Sequence, residues 1–142
     1  MPFASKTALS HSHEAGQSMA EAALVLPVLV FLLVSLVEVG MLTYTKVVLI
    51  GAARDGARTA AVYGDTSLVQ QVVSQDLADG QLPLAAWNPA TAVSVQDLGS
   101  YVKVVVRYSH RTLVPGLPVL VGRSPTEPLI PLQAGALFRR RG

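Results

Sequence analysis

The sequence has no cysteine. That excludes disulfides, thiol catalysis, anchoring through a lipidated cysteine and zinc ribbons in one step. Charge is also scarce. Only 14% of the 142 residues are Asp, Glu, Lys or Arg, against about 25% in an ordinary soluble domain. The formal net charge is +2 and no long basic stripe exists, which argues against nucleic acid as a partner. No internal repeat is visible. No Gly-x-Ser-x-Gly nucleophile pattern occurs. Nothing forms an enzyme constellation, so the sequence predicts no catalytic residues, no cofactor, no metal and no small-molecule substrate.

What the chain has instead is apolar surface. Hydrophobic residues make up 51% of it and the mean hydropathy is +0.45. The excess is local. Ala22 to Val37 carries no charge, and after Glu38 the apolar character resumes through Thr45. From Ala22 to Met41, about 20 residues at ~1.5 Å each would cross a hydrocarbon layer of roughly 30 Å. Pro27 lies inside this run, where it removes one helical donor; membrane helices tolerate that. A secretory signal peptide is the competing reading. The run is long for such a segment, and no small-x-small cleavage site follows it closely.

The helical composition continues past the apolar run, through "KVVLIGAARDGARTAAVYG" (46–64). Ala52, Gly56, Ala60 and Gly64 fall in one row, and Ala53, Ala57 and Ala61 in a second beside it. Rows of small residues let helix backbones approach closely. They are expected to meet either the protein's own sheet or a neighbouring helix. Gly64 is a natural helix stop. "TSLVQQVVSQDLADG" (66–80) predicts one short amphipathic helix. Its apolar face is Leu68, Val69, Val72, Val73 and Leu77, with Ser67 and Gln70 at capping-box spacing and Gly80 at its end. A Pro-containing loop with the single Trp, Trp87, comes next.

The periodicity then switches to two. "AVSVQDL", a Gly99-Ser100 turn and "YVKVVVRYSHRTL" predict a β-hairpin, with Val102, Val104, Val106 and Tyr108 on one face. Prolines break up the stretch after Leu113. "LIPLQAGALF" predicts a last strand, on an edge because Pro131 cannot donate to a ladder. His110 stands alone and reads as a surface or edge residue. Arg139, Arg140 and Arg141 read as a solvated tail. The fold class is therefore α+β: a long N-terminal transmembrane helix, then a small domain of one short helix and an antiparallel sheet.

"GQSMAEAALVLPVLVFLLVSLVEVG" and "AARDGARTAAVYG" together resemble type IV prepilin-like proteins. More narrowly, they resemble the TadE-like minor pseudopilins of the tight-adherence (Tad/Flp) pilus. The shared pattern is a Gly, a Glu five residues on, an apolar run with an early Pro, a Glu-x-Gly near its end, then Ala-Arg-x-Gly-Ala-Arg. Here these are Gly16, Glu21, Pro27, Glu38 with Gly40, and Arg54, Gly56 and Arg58.

The resemblance implies a leader over 1–16, a membrane and assembly helix over 17–63, and an extracytoplasmic domain over 64–142. It implies that a prepilin peptidase cuts between Gly16 and Gln17. It also implies that Glu21 pairs with the new α-amine of a neighbouring subunit. Implied partners are other pilins or pseudopilins, an inner-membrane assembly platform and membrane lipid. His11, His13 and Glu14 would leave with the leader, which reads as disordered. More positive charge follows the helix (Lys46, Arg54, Arg58) than precedes it (Lys6 and the α-amine). Against that signal, the resemblance places the N-terminus in the cytoplasm. Glu38 either reaches the outer interface or meets a partner helix. Gly56 and Ala57 are expected contact positions. Arg54 and Arg58 share a helix face and would meet lipid phosphates, a partner's acids or water. The alternative is an uncleaved single-pass envelope protein that presents a small binding domain.

Overall fold

The computed structural model describes residues 8–114, 119, 122, 124 and 128–140, with side chains from Gln17 onward. The elements are α1 (Ala8–Tyr63), α2 (Thr66–Asp79), α3 (Pro89–Ala92), β1 (Val93–Asp97), β2 (Tyr101–Arg111) and β3 (Leu129–Arg139). The architecture is the expected long helix followed by short helices and a three-stranded antiparallel sheet. By compactness the chain divides between Val37 and Glu38.

In the first unit, α1 is helical from Ala8, inside the segment expected to be disordered, and it continues unbroken through Pro27. Ala8, Leu9, Glu14 and Ala15 are good helix formers, and adding residues to an existing helix avoids the cost of nucleation. From Gln17 to Val37 every side chain is exposed except the half-buried Ser35, whose hydroxyl donates to Phe31 O at 2.8 Å. Twelve large apolar side chains between Leu24 and Val37 are exposed. Fully burying such a side chain is worth about 1.5–3 kcal/mol, so leaving twelve in water forfeits on the order of 10 kcal/mol or more. That rivals the whole net stability of a typical domain, about 5–15 kcal/mol. A helix apolar on all sides needs an apolar solvent or protein around it.

The second unit takes in the rest of α1, which the sequence reading assigned to the anchor. The reason is the small-residue rows. Ala52, Ala53, Ala57, Ala60 and Ala61 are all buried, together with Leu49, against Val69, Val73 and Leu77 of α2 and Val102, Val104 and Val106 of β2. A Cβ added at Gly56 would lie 2.9 Å from Val73 Cγ2 and 3.4 Å from both Val69 Cγ1 and Val104 Cγ1. Of the two neighbours left open for these rows, the one they meet is the protein's own domain.

α1 ends as expected at Gly64, whose φ is +69° and whose N–H donates to Ala60 O at 3.0 Å. The start of α2 differs from expectation. Its cap is Asp65, which accepts from the Ser67 N–H and hydroxyl, both at 2.8 Å. Those bonds hold the Asp65 carboxyl below its usual range. Gly80 is needed for space rather than conformation: its φ is −73°, but a Cβ there would come within 2.6 Å of Val48 Cγ1. The loop before the hairpin contains a second short helix, α3, which Asn88 caps and Pro89 begins.

The sheet order is β1-β2-β3, with Val104 opposite Val95 on one side and Ala136 on the other. β3 is an edge strand, as Pro131 requires. Arg140 does not sit in a free tail. Its guanidinium pairs with Asp97 at 2.7 Å and its N–H donates to Ser100 O. Arg141 lies outside the described residues.

The fit at Gly56 predicts a position-specific response. Gly56→Leu should destabilise the domain by about 1–3 kcal/mol through overpacking. Gly51→Leu, where a Cβ meets nothing within 4 Å, should not. Thermal unfolding of both detergent-solubilised variants checks this.

Candidate functional site

The membrane-type segment begins with Gly16, inside α1. One turn on, Gln17 Nε2 donates to Glu21 Oε1 at 3.2 Å, and both residues are exposed. The Glu21 carboxylate thus sits one turn beyond Gly16 and before the charge-free stretch. The side chains of His11, His13 and Glu14 lie outside the described ones.

Glu38 is 1% exposed. Its carboxylate turns into the chain's own domain. Oε2 accepts from Leu113 N–H at 3.2 Å. Oε1 faces His110 Nε2 at 3.4 Å. The two atoms are within contact distance but do not form a shaped hydrogen bond, and neither has a hydrogen-bond partner among the described residues. The other ring nitrogen, Nδ1, lies 3.4 Å from Thr45 Oγ1. The Thr45 hydroxyl donates to Met41 O at 2.9 Å, so it meets the ring with a lone pair. The line between Nε2 and Oε1 therefore needs a proton, on one atom or the other.

His110 is a correction to the sequence reading: it is 8% exposed, not a surface residue. The signal was present in the alternation. It is in phase with Val102, Val104, Val106 and Tyr108, all of which point into the core. Thr45 and the Leu113 N–H carried no such signal.

Arg54 and Arg58 are both exposed. Asp76 on α2 has one buried oxygen without a hydrogen-bond partner. Burial, then repulsion from Asp55 and Asp79, holds its carboxyl above the usual range. An open groove of about 670 Å³ runs past Pro83, Trp87, Arg107, Tyr108, Pro131 and Gln133. Trp87 Nε1 donates to Arg107 O at 2.9 Å and the Tyr108 hydroxyl to Pro83 O at 3.0 Å, so both polar groups are engaged in structure. Among the described residues no three His, Cys, Asp or Glu side chains gather to hold a metal.

Residues 16–58 match the family model described as TadE-like protein. Through this segment the chain is similar to proteins of the TadE-like family. That family is associated with Tad pilus biogenesis. The match starts at Gly16 and ends at Arg58, so it spans Glu21, Glu38 and the first part of the small-residue rows. It covers 43 of the 142 residues and leaves out His110 and Leu113, which close over Glu38. No curated protein and no solved structure matches the chain. Among the described residues one helix, Gln17–Tyr63, is long and apolar enough to cross a membrane, consistent with single-pass anchoring.

The Glu38 cluster yields a double-mutant test. His110→Leu alone leaves the buried Glu38 Oε1 without its imidazole neighbour and should cost about 1–3 kcal/mol. Adding Glu38→Leu removes the stranded polar group and should recover most of the loss. Thermal unfolding of the two single variants and the double variant measures the coupling.

Proposed function

We propose that the chain is a minor pseudopilin of a Tad/Flp-type pilus or related secretion machinery. In this reading a prepilin peptidase cuts after Gly16. The helix then holds the protein in the cytoplasmic membrane of a bacterium, with the α+β domain on the outer side, and it acts in pilus assembly, adhesion or surface attachment. The carrying observation is the family match that begins at Gly16 and includes Glu21 before an exposed apolar helix. The domain makes a main pilus subunit the weaker reading, since the principal pilins of this type are little more than a helix. Partners in this reading are the peptidase, other pilins or pseudopilins, the assembly platform and lipid.

Physical chemistry supports the roles of Gly16 and Glu21. The Gly16–Gln17 bond lies within α1, so a peptidase has to open the helix there. Glycine is the easiest ordinary residue at which to do so, about 1 kcal/mol weaker than alanine in a helix. Its lack of a side chain also lets an enzyme approach the backbone. Cleavage would make Gln17 the new α-amine, a cation that a neighbouring Glu21 can pair with where water is excluded. An unmatched charge there would be penalised, which fixes register.

A second reading, an uncleaved single-pass protein that presents its domain, draws on the unbroken helix across Gly16–Gln17. Mass spectrometry of the N-terminus separates the two. A mature chain that starts at Gln17 is expected; an intact N-terminus in cells with an active peptidase would favour the anchor.

Two variants extend the test. Gly16→Val should accumulate at precursor mass, about 16 residues heavier than the mature form, because its side chain obstructs the approach to the bond. Normal maturation would reject the cleavage site. Glu21→Gln should insert and be cleaved normally but lose co-purification with pilin partners, since its counter-charge exists only after cleavage. Unchanged association would reject the charge pairing.

A further inference from the structure

The charge-free run from Ala22 to Val37 has 16 residues. At ~1.5 Å each it covers about 24 Å, short of a hydrocarbon core of roughly 30 Å by about four residues. Those four are Glu38, Val39, Gly40 and Met41. A carboxylate exposed to lipid deep in a bilayer costs at least roughly 2.5–3.5 kcal/mol. Glu38 avoids that exposure because the domain covers it: His110 closes on Oε1 and Leu113 N–H on Oε2. The end of β2 therefore lies at the depth of Glu38.

That end is built as a pinned turn. Thr112 N–H donates to Pro128 O at 2.8 Å and Val114 N–H to Thr112 Oγ1 at 3.2 Å. Thr112 and Val114 are buried, at 9% and 3% exposure, while Leu113 between them is 70% exposed. Its backbone is fixed by Glu38 and its side chain is turned outward. A single exposed leucine is ordinary. Here it has company at the same end. Leu129, opposite Arg111 in the ladder, is 47% exposed, and Val39 and Met41 beside Glu38 are 51% and 45% exposed. Arg111 itself is exposed, a cation at the edge of this apolar end and of the sign that phosphate headgroups attract.

We infer that the 112–114 turn is a second membrane contact, with Leu113 and Leu129 seated in the lipid at the outer boundary and Arg111 at headgroup level. The inference rests on the single-pass reading of α1. The occupant is lipid, since the turn is continuous in depth with the residues that complete the crossing. Glu38 is then the positioning residue that fixes the turn at this depth.

The absence of cysteine makes the test direct. Full-length Leu113→Cys, Leu29→Cys and Leu98→Cys each carry one nitroxide in vesicles of phosphatidylethanolamine and phosphatidylglycerol. Leu29 lies in the apolar run. Leu98 is 58% exposed at the β1–β2 turn, the opposite end of β2 from Leu113. Collisions with oxygen report lipid, and collisions with a water-soluble nickel chelate report water. The expected result is a higher oxygen-to-nickel ratio at Leu113 than at Leu98, approaching that at Leu29. A lipid-like Leu29 with Leu113 as water-accessible as Leu98 overturns the inference and leaves the anchoring reading standing. A water-accessible Leu29 overturns both. A Leu113 probe shielded from both reagents means a protein surface covers the turn, and rejects lipid as the occupant.

Discussion

The structure depends on how closely α1 lies against α2 and β2 at Gly56. With Val73 Cγ2 already 2.9 Å from where a Cβ would stand, no side chain fits between the three elements. Alanines at 52, 53, 57 and 60 extend that closeness along the helix. A larger residue at any of these buried positions would overfill the core. This constraint accounts for a feature that helix propensity alone does not: a glycine in the middle of a helix, where it costs about 1 kcal/mol against alanine.

The same helix serves two environments. From Leu24 to Val37 its apolar residues are exposed on every side. From Glu38 onward one face is buried and the other carries Arg54, Asp55 and Arg58. The change falls at a carboxylate. A charge at that position is tolerable only if solvated or enclosed, and here the domain encloses it with an imidazole and a backbone N–H. The polar cluster of Glu38, His110 and Thr45 thus ties the far end of β2 to the point where the helix acquires its buried face.

The parts of the fold with strong periodicity were legible from residues alone. The alternation from Val102 to Tyr108 gave β2 its faces, Pro131 placed β3 on an edge, and Gly64 ended α1. Positions governed by register or by distant neighbours are less legible. His110 stands alone in composition, yet its phase in β2 buries it. Ser67 and Asp65 stand two residues apart and both suit the cap, and the structure gives it to Asp65. Arg140 was read as tail because Asp97, its partner, is 43 residues away in sequence. Glu38's enclosure was illegible for the same reason: its ligand, the Leu113 backbone N–H, is 75 residues off and has no side-chain signature.

Burial of the small rows also bears on how the chain can associate. The sequence offered those rows as a face for a neighbouring helix, but the domain occupies them. In the proposed reading, contacts with other subunits would use what remains. One such surface is the exposed apolar helix before Glu38, which a bilayer or like helices can cover with little directional demand. The other is the outward face of α1 beyond it, where Val47 is exposed, Gly51 is open and Arg54 and Arg58 repel their like. The first surface favours burial but gives little register. The second gives register through charge but little burial. In the proposed reading, a carboxylate at Glu21 paired with a neighbour's α-amine would supply the missing register on the apolar surface, and that gain would offset the desolvation of one acidic residue at the start of an otherwise uncharged run.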